Sequence, residues 1–186
     1  MRIIAGQWRG RRLVAPSGDA TRPTADRMRE TLFSMLMSRL GSFDGLTVAD
    51  LFAGSGALGL EALSRGAAQC HFVEHDRAAI KAIRTNIESL SVGERARVES
   101  GSVMHLRPRT QPFHLILLDP PYRSGAGAVA LDRLLRLGWI GEATWIALET
   151  AFDEEPELRG LSVETSRRVG KGRLTLMRPH DGQDDR

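Results

Sequence analysis

Between residues 46 and 148, short apolar runs alternate with stretches of helical periodicity, and this alternation constrains the fold more than any other feature. Leu46–Phe52, Cys70–Glu74, Arg97–Glu99, Phe113–Leu118 and Trp145–Leu148 read as strands. Between them, Ala57–Arg65, Arg77–Leu90 and Ala126–Leu137 read as helices. Gly66 ends the first and Gly138 the last. On Arg77–Leu90, the residues Ala79, Ile80, Ile83, Ile87 and Leu90 share one face. Strands separated by helices require right-handed crossovers and a mostly parallel sheet. The pattern then changes. Leu161–Val169 and Arg173–Met177, split by Gly170-Lys171-Gly172, predict an antiparallel hairpin at the sheet edge. The expectation is an α/β, Rossmann-like fold with a seven-stranded sheet closed by that hairpin.

The N-terminal region lies outside this rhythm. Ile3-Ile4-Ala5 and Arg12-Leu13-Val14 flank Gly6, Trp8 and Gly10, the pattern of a β-hairpin. A loop with Pro16, Ser17, Gly18 and Pro23 follows, and Thr24 is expected to cap a helix bearing Met28, Leu32, Met35, Leu36 and Leu40, stopped by Gly41. The chain is therefore divided into a basic hairpin extension (1–23), a main domain (24–180) and a tail (181–186). Residues 1–40 hold eight arginines against three acids, a local charge of +5 in a chain of net +3. Such asymmetry points to a polyanion-facing end. The single cysteine, Cys70, excludes an internal disulfide framework and a cysteine-rich zinc site. No apolar run reaches the roughly 18 residues of a membrane span, so a cytoplasmic location and no membrane contact are expected.

The first constellation with chemistry is Asp50-Leu51-Phe52-Ala53-Gly54-Ser55-Gly56-Ala57-Leu58-Gly59. A strand ends, a glycine-rich turn opens a helix, and Glu74 follows at the end of the next strand. Missing side chains let a ligand approach the backbone, and Glu74 can accept two ribose hydroxyls. NAD(P) and S-adenosylmethionine both fit these features. A carboxylate at Asp50, just before the turn, favours the second, which carries a cationic amino group and a sulfonium.

The second constellation decides between them. The buried run Phe113–Leu118 leads straight into Asp119-Pro120-Pro121-Tyr122. Open α/β sheets bind ligands at the carboxyl ends of their strands. Two prolines stiffen the turn and leave carbonyls without local partners. Asp119 can accept one N–H of an exocyclic amine, the Pro120 carbonyl can accept the other, and Tyr122 can stack on the ring. Holding both hydrogens favours pyramidalisation and aims the nitrogen lone pair at a methyl donor, so positioning and electrostatics carry the catalysis.

Asp119-Pro120-Pro121-Tyr122 resembles the (Asp/Asn)-Pro-Pro-(aromatic) signature of amino-group methyltransferases, and residues 50–59 resemble their S-adenosylmethionine loop. Residues 2–11 (RIIAGQWRGR) and 22–33 (RPTADRMRETLF), with residues 51–66, resemble the bacterial 16S rRNA guanine-N2 methyltransferase family that modifies guanine 966. The resemblance implies a class I methyltransferase fold and a guanine substrate in 16S rRNA of an assembling 30S particle. A monomer and no metal are expected. It places Asp119, Pro120, Pro121 and Tyr122 in catalysis. Thr24, Asp50, Phe52, Ala53, Gly54, Ser55, Gly56, Glu74, His75, Ser102, Val103 and Asp119 fall to the cofactor. Ser102 stands where related enzymes often carry an acid or amide toward the adenine. Trp8, Arg9, Arg11, Arg12 and Arg22 are expected to contact RNA on a surface beside the catalytic face.

Rival readings are an adenine-N6 methyltransferase, disfavoured because no target-recognition domain fits in the chain, and a non-catalytic RNA-binding assembly factor, disfavoured by two intact motifs. The histidines at 71, 75, 105, 114 and 180 show no metal-ligand spacing. Cys70 reads as buried and inert, and Asp76 as a helix cap.

Overall fold

The computed structural model describes residues 1–16 and 23–180. In chain order its elements are α1 (Pro23–Leu40), β1 (Thr47–Leu51), α2 (Ala57–Ser64), β2 (Gln69–Glu74), α3 (Arg77–Ser89), β3 (Ala96–Ser100), β4 (Leu115–Leu118), α4 (Ala126–Arg136), β5 (Trp145–Ala151), β6 (Leu161–Val169) and β7 (Gly172–Pro179). The strands form one seven-stranded sheet in the order β3-β2-β1-β4-β5-β7-β6. The first five are parallel to one another; β7 is antiparallel to both β5 and β6.

The parallel strands are apolar because both faces are covered. Alternate residues feed two cores. Val48, Phe72, Leu115 and Leu117 pack on one face with Leu60 and Leu63 of α2, Ile83 of α3 and Phe33 and Leu36 of α1. Leu51, Val73, Ile116 and Leu118 pack on the other with Leu131 and Leu134 of α4 and with Trp139. The chain grows outward from β1 through β2 to β3, then returns to lay β4 on the other side of β1. This reversal opens a crevice at the carboxyl ends of β1 and β4, the position where such sheets hold ligands.

Two N-terminal expectations change. Residues 1–13 do pair back on themselves, through Ile3 N–H to Arg11 O at 3.0 Å and Leu13 N–H to Met1 O at 3.0 Å, but only the bridge between Arg2 and Arg12 forms, without extended strands. The segment spends its other backbone groups on the helices. Ile4 and Ala5 donate to the Glu61 carboxylate at 2.8 and 3.0 Å, and Val14 N–H donates to Asn86 Oδ1 at 2.7 Å. Ile3 and Leu13 are buried in the same core as α1 and α2. Helix α1 begins at Pro23, so Thr24 falls inside its first turn and is not the cap; proline's fixed φ and missing N–H suit the first helical position. The expected loop residues 17–22, Arg22 among them, and the tail 181–186 lie outside the described residues. Among the described residues no helix is long and apolar enough to cross a membrane.

Candidate active site

The crevice is a cavity of about 700 Å³, within the range of small-molecule sites. Three segments build it. The turn after β1 contributes Phe52, Ala53, Gly54 and Ser55. Glu74 and His75 stand at the end of β2, and Asp119, Pro120, Pro121 and Tyr122 follow β4. The two constellations expected from sequence therefore share one cavity.

The glycine turn is shaped for close approach. Gly56 sits at φ 79°, in left-handed backbone, where α2 starts. A methyl on Gly59 would overlap the Phe72 ring and the Cys70 sulfur, so helix and sheet touch directly there. Phe52 holds φ 59°, a conformation disfavoured for an aromatic residue, and its side chain faces the cavity. Glu74 locks this turn: its Oε2 accepts Gly54 N–H at 2.8 Å, and its Oε1 accepts the amides of His75 and Asp76 at 2.7 and 2.9 Å. The carboxylate is thus fixed at the cavity wall with one lone pair of Oε2 to spare. Asp76 caps α3 by accepting Ala79 N–H at 2.8 Å, as expected.

Asp50 stands behind the turn. It is 1% exposed and does not line the cavity. Its Oδ2 accepts Gly59 N–H at 2.8 Å, and among the described residues Oδ1, which is buried, has no hydrogen-bond partner. Burial pushes this carboxyl well above the usual range; the Gly59 bond opposes that, and the charges of Asp119 and Glu74 reinforce it.

The Pro-Pro turn is anchored from β5 and the loop beyond it. The Tyr122 phenol donates to Glu149 Oε1 at 2.6 Å, Arg123 N–H donates to Glu154 Oε2 at 3.0 Å, and the Arg123 guanidinium grips both oxygens of Asp153 at 2.8 and 3.0 Å. Ser124 Oγ donates to the Pro121 carbonyl at 2.6 Å. Among the described residues no hydrogen bond reaches the Pro120 carbonyl. One proline oxygen is therefore spent on the turn and the other is not. Asp119 is exposed at the mouth, its N–H bonded to Leu51 O at 3.4 Å across the crevice. Burial and the neighbouring Glu149 hold the Tyr122 phenol above its ordinary value. Burial raises Glu149 as well, with the Tyr122 hydrogen bond opposing it.

The resemblance also implies that the start of helix α1 packs near the methionine end of the cofactor, and α1 does supply a cavity wall, with two residues that sequence reasoning did not single out. Met28 and Arg29 line the cavity. Arg29 is 4% exposed and donates through Nη2 to Arg2 O at 2.7 Å and to Asp26 Oδ1 at 2.9 Å; its buried Nη1 has no partner among the described residues. In the sequence it is one of eight arginines in a basic segment; the Asp26–Arg29 spacing of three, one residue after a core methionine, was the available signal. Glu149 also lines the cavity, one residue beyond the predicted strand Trp145–Leu148.

Several expected contacts lie elsewhere. Gly56 is behind the cavity wall. Ser102 accepts Met104 N–H at 3.1 Å as the cap of a 3₁₀ turn, and Val103 is buried in the second core, so neither lines the cavity. The backbone of Thr24 is helical, and its side chain lies outside the described residues. The hairpin turn is not beside the catalytic face. Gln7 and Trp8 amides bond to O and Oγ of Ser64, the last residue of α2, and Trp8 lies under the Arg95 guanidinium at 5.4 Å. Arg11 donates to the carbonyl of Ser89, the last residue of α3, at 2.6 Å. Both helices start at the cavity edge and end at the opposite one, so Trp8, Arg9 and Arg11 sit near where the parallel strands begin; Arg12, paired with Arg2, also stays off the cavity wall. Cys70 is buried, with its thiol pushed upward by burial. Among the described residues no group of side chains is arranged to hold a metal ion.

Residues 1–178 match the family described as Conserved hypothetical protein 95. The Escherichia coli (strain K12) protein named ribosomal RNA small subunit methyltransferase D is 41% identical over 153 residues, which are 82% of this chain and 76% of that protein. A Bacillus subtilis protein, YlbH, named as a candidate rRNA methyltransferase, is 42% identical over 162 residues, 85% of each chain. The solved structure of Escherichia coli yhhF, described as a candidate methyltransferase, superposes with a TM-score of 0.82 at 35% identity, covering 96% of this chain and 97% of that one.

Proposed function

Because the chain belongs to the family described as Conserved hypothetical protein 95, whose named relatives are methyltransferases of small-subunit ribosomal RNA, we propose that it transfers a methyl group from S-adenosylmethionine to the N2 amine of a guanine in 16S rRNA. By the resemblance of its motifs that guanine is 966, presented in an assembling 30S subunit. The observation that carries this reading is the shared cavity: Asp119, beside a Pro120 carbonyl that accepts no hydrogen bond among the described residues, lines the same space as the glycine turn and Glu74.

The residues present fit the cofactor. Glu74 is set to accept ribose hydroxyls. Arg29 Nη1, buried and unpartnered in the cavity wall, fits a carboxylate. The unpartnered Asp50 Oδ1 behind the turn places negative potential toward a cationic ligand. S-Adenosylmethionine supplies an electrophilic methyl carbon on a sulfonium. The protein's task is then to present the amine. Asp119 and the Pro120 oxygen each accept one N–H, which turns the nitrogen lone pair toward the methyl carbon. Tyr122 covers the base, its ring orientation set by the bond to Glu149. Once alkylated the amine becomes acidic, and Asp119 is the acceptor for its proton. A base must leave its stack to reach this depth, which is cheapest for a loop nucleotide.

The reading is tested by incubating the protein with labelled S-adenosylmethionine and undermethylated 30S particles, then digesting the RNA to nucleosides. N2-methylguanosine is the expected product; N6-methyladenosine would replace this reading with its rival. Calorimetry should detect S-adenosylmethionine binding and no NAD binding.

A further inference from the structure

Asp119 and Glu149 are neighbours by construction. Strands β4 and β5 are parallel, with Leu118 paired to Leu148. The next residues on the two strands are these acids, and both line the cavity. Glu149 is half-buried, and its orientation is fixed by one oxygen, which accepts the Tyr122 phenol at 2.6 Å. Among the described residues its second oxygen, Oε2, accepts no hydrogen bond. Glu149 therefore keeps acceptor capacity in the cavity that Asp119 also lines.

Of the bases with an exocyclic amine, guanine alone presents two adjacent donor groups on its Watson–Crick edge, the N2 amine and the N1–H. Adenine presents an amine next to a ring nitrogen that is an acceptor, and cytosine does the same. An adenine seated with its amine on Asp119 would turn that lone pair toward Glu149.

Resting on the guanine-N2 reading above, we propose that Glu149 is the specificity-determining residue of this site, its Oε2 accepting guanine N1–H beside the amine held by Asp119. The residue selects guanine by attraction and rejects adenine by repulsion, the two components of specificity. A site built to bond a donor discriminates strongly against an analogue that lacks it. Tyr122 serves this function too, because its phenol occupies Oε1 and leaves the other oxygen for the base.

The test uses 30S particles assembled with either guanine or 2-aminopurine at the methylated position. 2-Aminopurine keeps the N2 amine but carries an acceptor at N1. Wild-type kcat/KM should favour guanine by about tenfold to a hundredfold. Glu149→Gln, an isosteric change that offers an amide donor, should bring the two within about threefold, while S-adenosylmethionine affinity by calorimetry stays unchanged. Tyr122→Phe should keep the guanine preference although its rate falls. If Glu149→Gln slows both substrates equally and retains the preference, Glu149 only holds Tyr122 and the proposal is overturned. Absence of N2-methylguanosine from the wild-type product is a separate result, overturning the guanine-N2 reading and this one with it.

Discussion

Asp50 accepts the backbone N–H of Gly59 at 2.8 Å through Oδ2, inside the protein and nine residues further along the chain. This bond ties the strand before the glycine turn to the first turn of the helix after it. The same carboxyl carries a burial penalty that the bond does not cancel.

That penalty has a definite pH signature. The folded-state value of Asp50 is raised above its unfolded value, near 4. Between the two, the folded protein holds a proton that the unfolded chain releases, so stability falls as pH rises through that window. Asp50→Asn keeps an acceptor for Gly59 and removes the ionisable group. Its melting temperature should exceed that of the wild type by a few degrees at neutral pH and converge with it below about pH 4. A difference that does not change with pH would sink the assignment. Affinity for S-adenosylmethionine should move the other way, weakening about tenfold.

Asp119→Ala should reduce methyl transfer about a thousandfold or more while leaving S-adenosylmethionine affinity within about threefold, because its proposed role is to grip the amine. Asp119→Asn retains one acceptor oxygen and should lose less. Single-turnover transfer and calorimetry on the same preparations separate the two effects; unchanged turnover in Asp119→Ala would refute the role.

The two roles proposed for Tyr122 can be divided by substitution. Tyr122→Phe keeps the ring and loses the bond to Glu149, and its rate should stay within about tenfold of wild type. Tyr122→Ala removes the stacking surface, and kcat/KM should fall by about tenfold to a hundredfold. Equal losses in both variants would show that the tether, and not the ring, matters.

Arg29 should reveal itself by ligand comparison. Arg29→Lys cannot reproduce the planar fork that serves Arg2 O, Asp26 and the cavity together. S-Adenosylhomocysteine should bind about tenfold more weakly to the variant. 5′-Methylthioadenosine, which lacks the amino-acid portion, should bind both proteins alike. A parallel loss for both ligands would mean that the variant disturbs the cavity generally.

The basic hairpin is testable by salt. We expect Arg9, Arg11 and Arg12 to contact phosphate, so replacing all three with Gln should flatten the plot of log affinity for 30S particles against log salt by about two units. An unchanged slope would remove the hairpin from the interface. Because the turn lies near the opposite edge of the sheet from the cavity, such contact would require rRNA to extend along α2 and α3.

The sheet was legible because parallel strands covered on both faces are written as unbroken apolar runs. Phe113–Leu118 and Leu46–Phe52 stand out for that reason, and each observed strand lies within two residues of its expected start. The glycine turn and Asp119-Pro120-Pro121-Tyr122 were legible because their geometry demands unusual residues. Arg29 and Glu149 were not, since their residue types are ordinary and only the fold reveals that one is buried and the other stands beside Asp119. The hairpin's position was also hidden. It depends on Glu61, an acid in the otherwise apolar run of α2, and on Ser64 accepting two backbone amides from another part of the chain.

Glu61 itself is 0% exposed, and its two oxygens are taken by Ile4, Ala5 and Arg65. Peeling the first residues away would remove two of its donors and leave Arg65 alone, at a cost of about 1.5–3 kcal/mol for each charged hydrogen bond lost. The amide protons of Ile4 and Ala5 are therefore locked to the integrity of α2, and should trade with deuterium only when that helix opens. The leading segment is thus tied to the helix that the glycine turn opens, so a pull exerted on one is felt by the other.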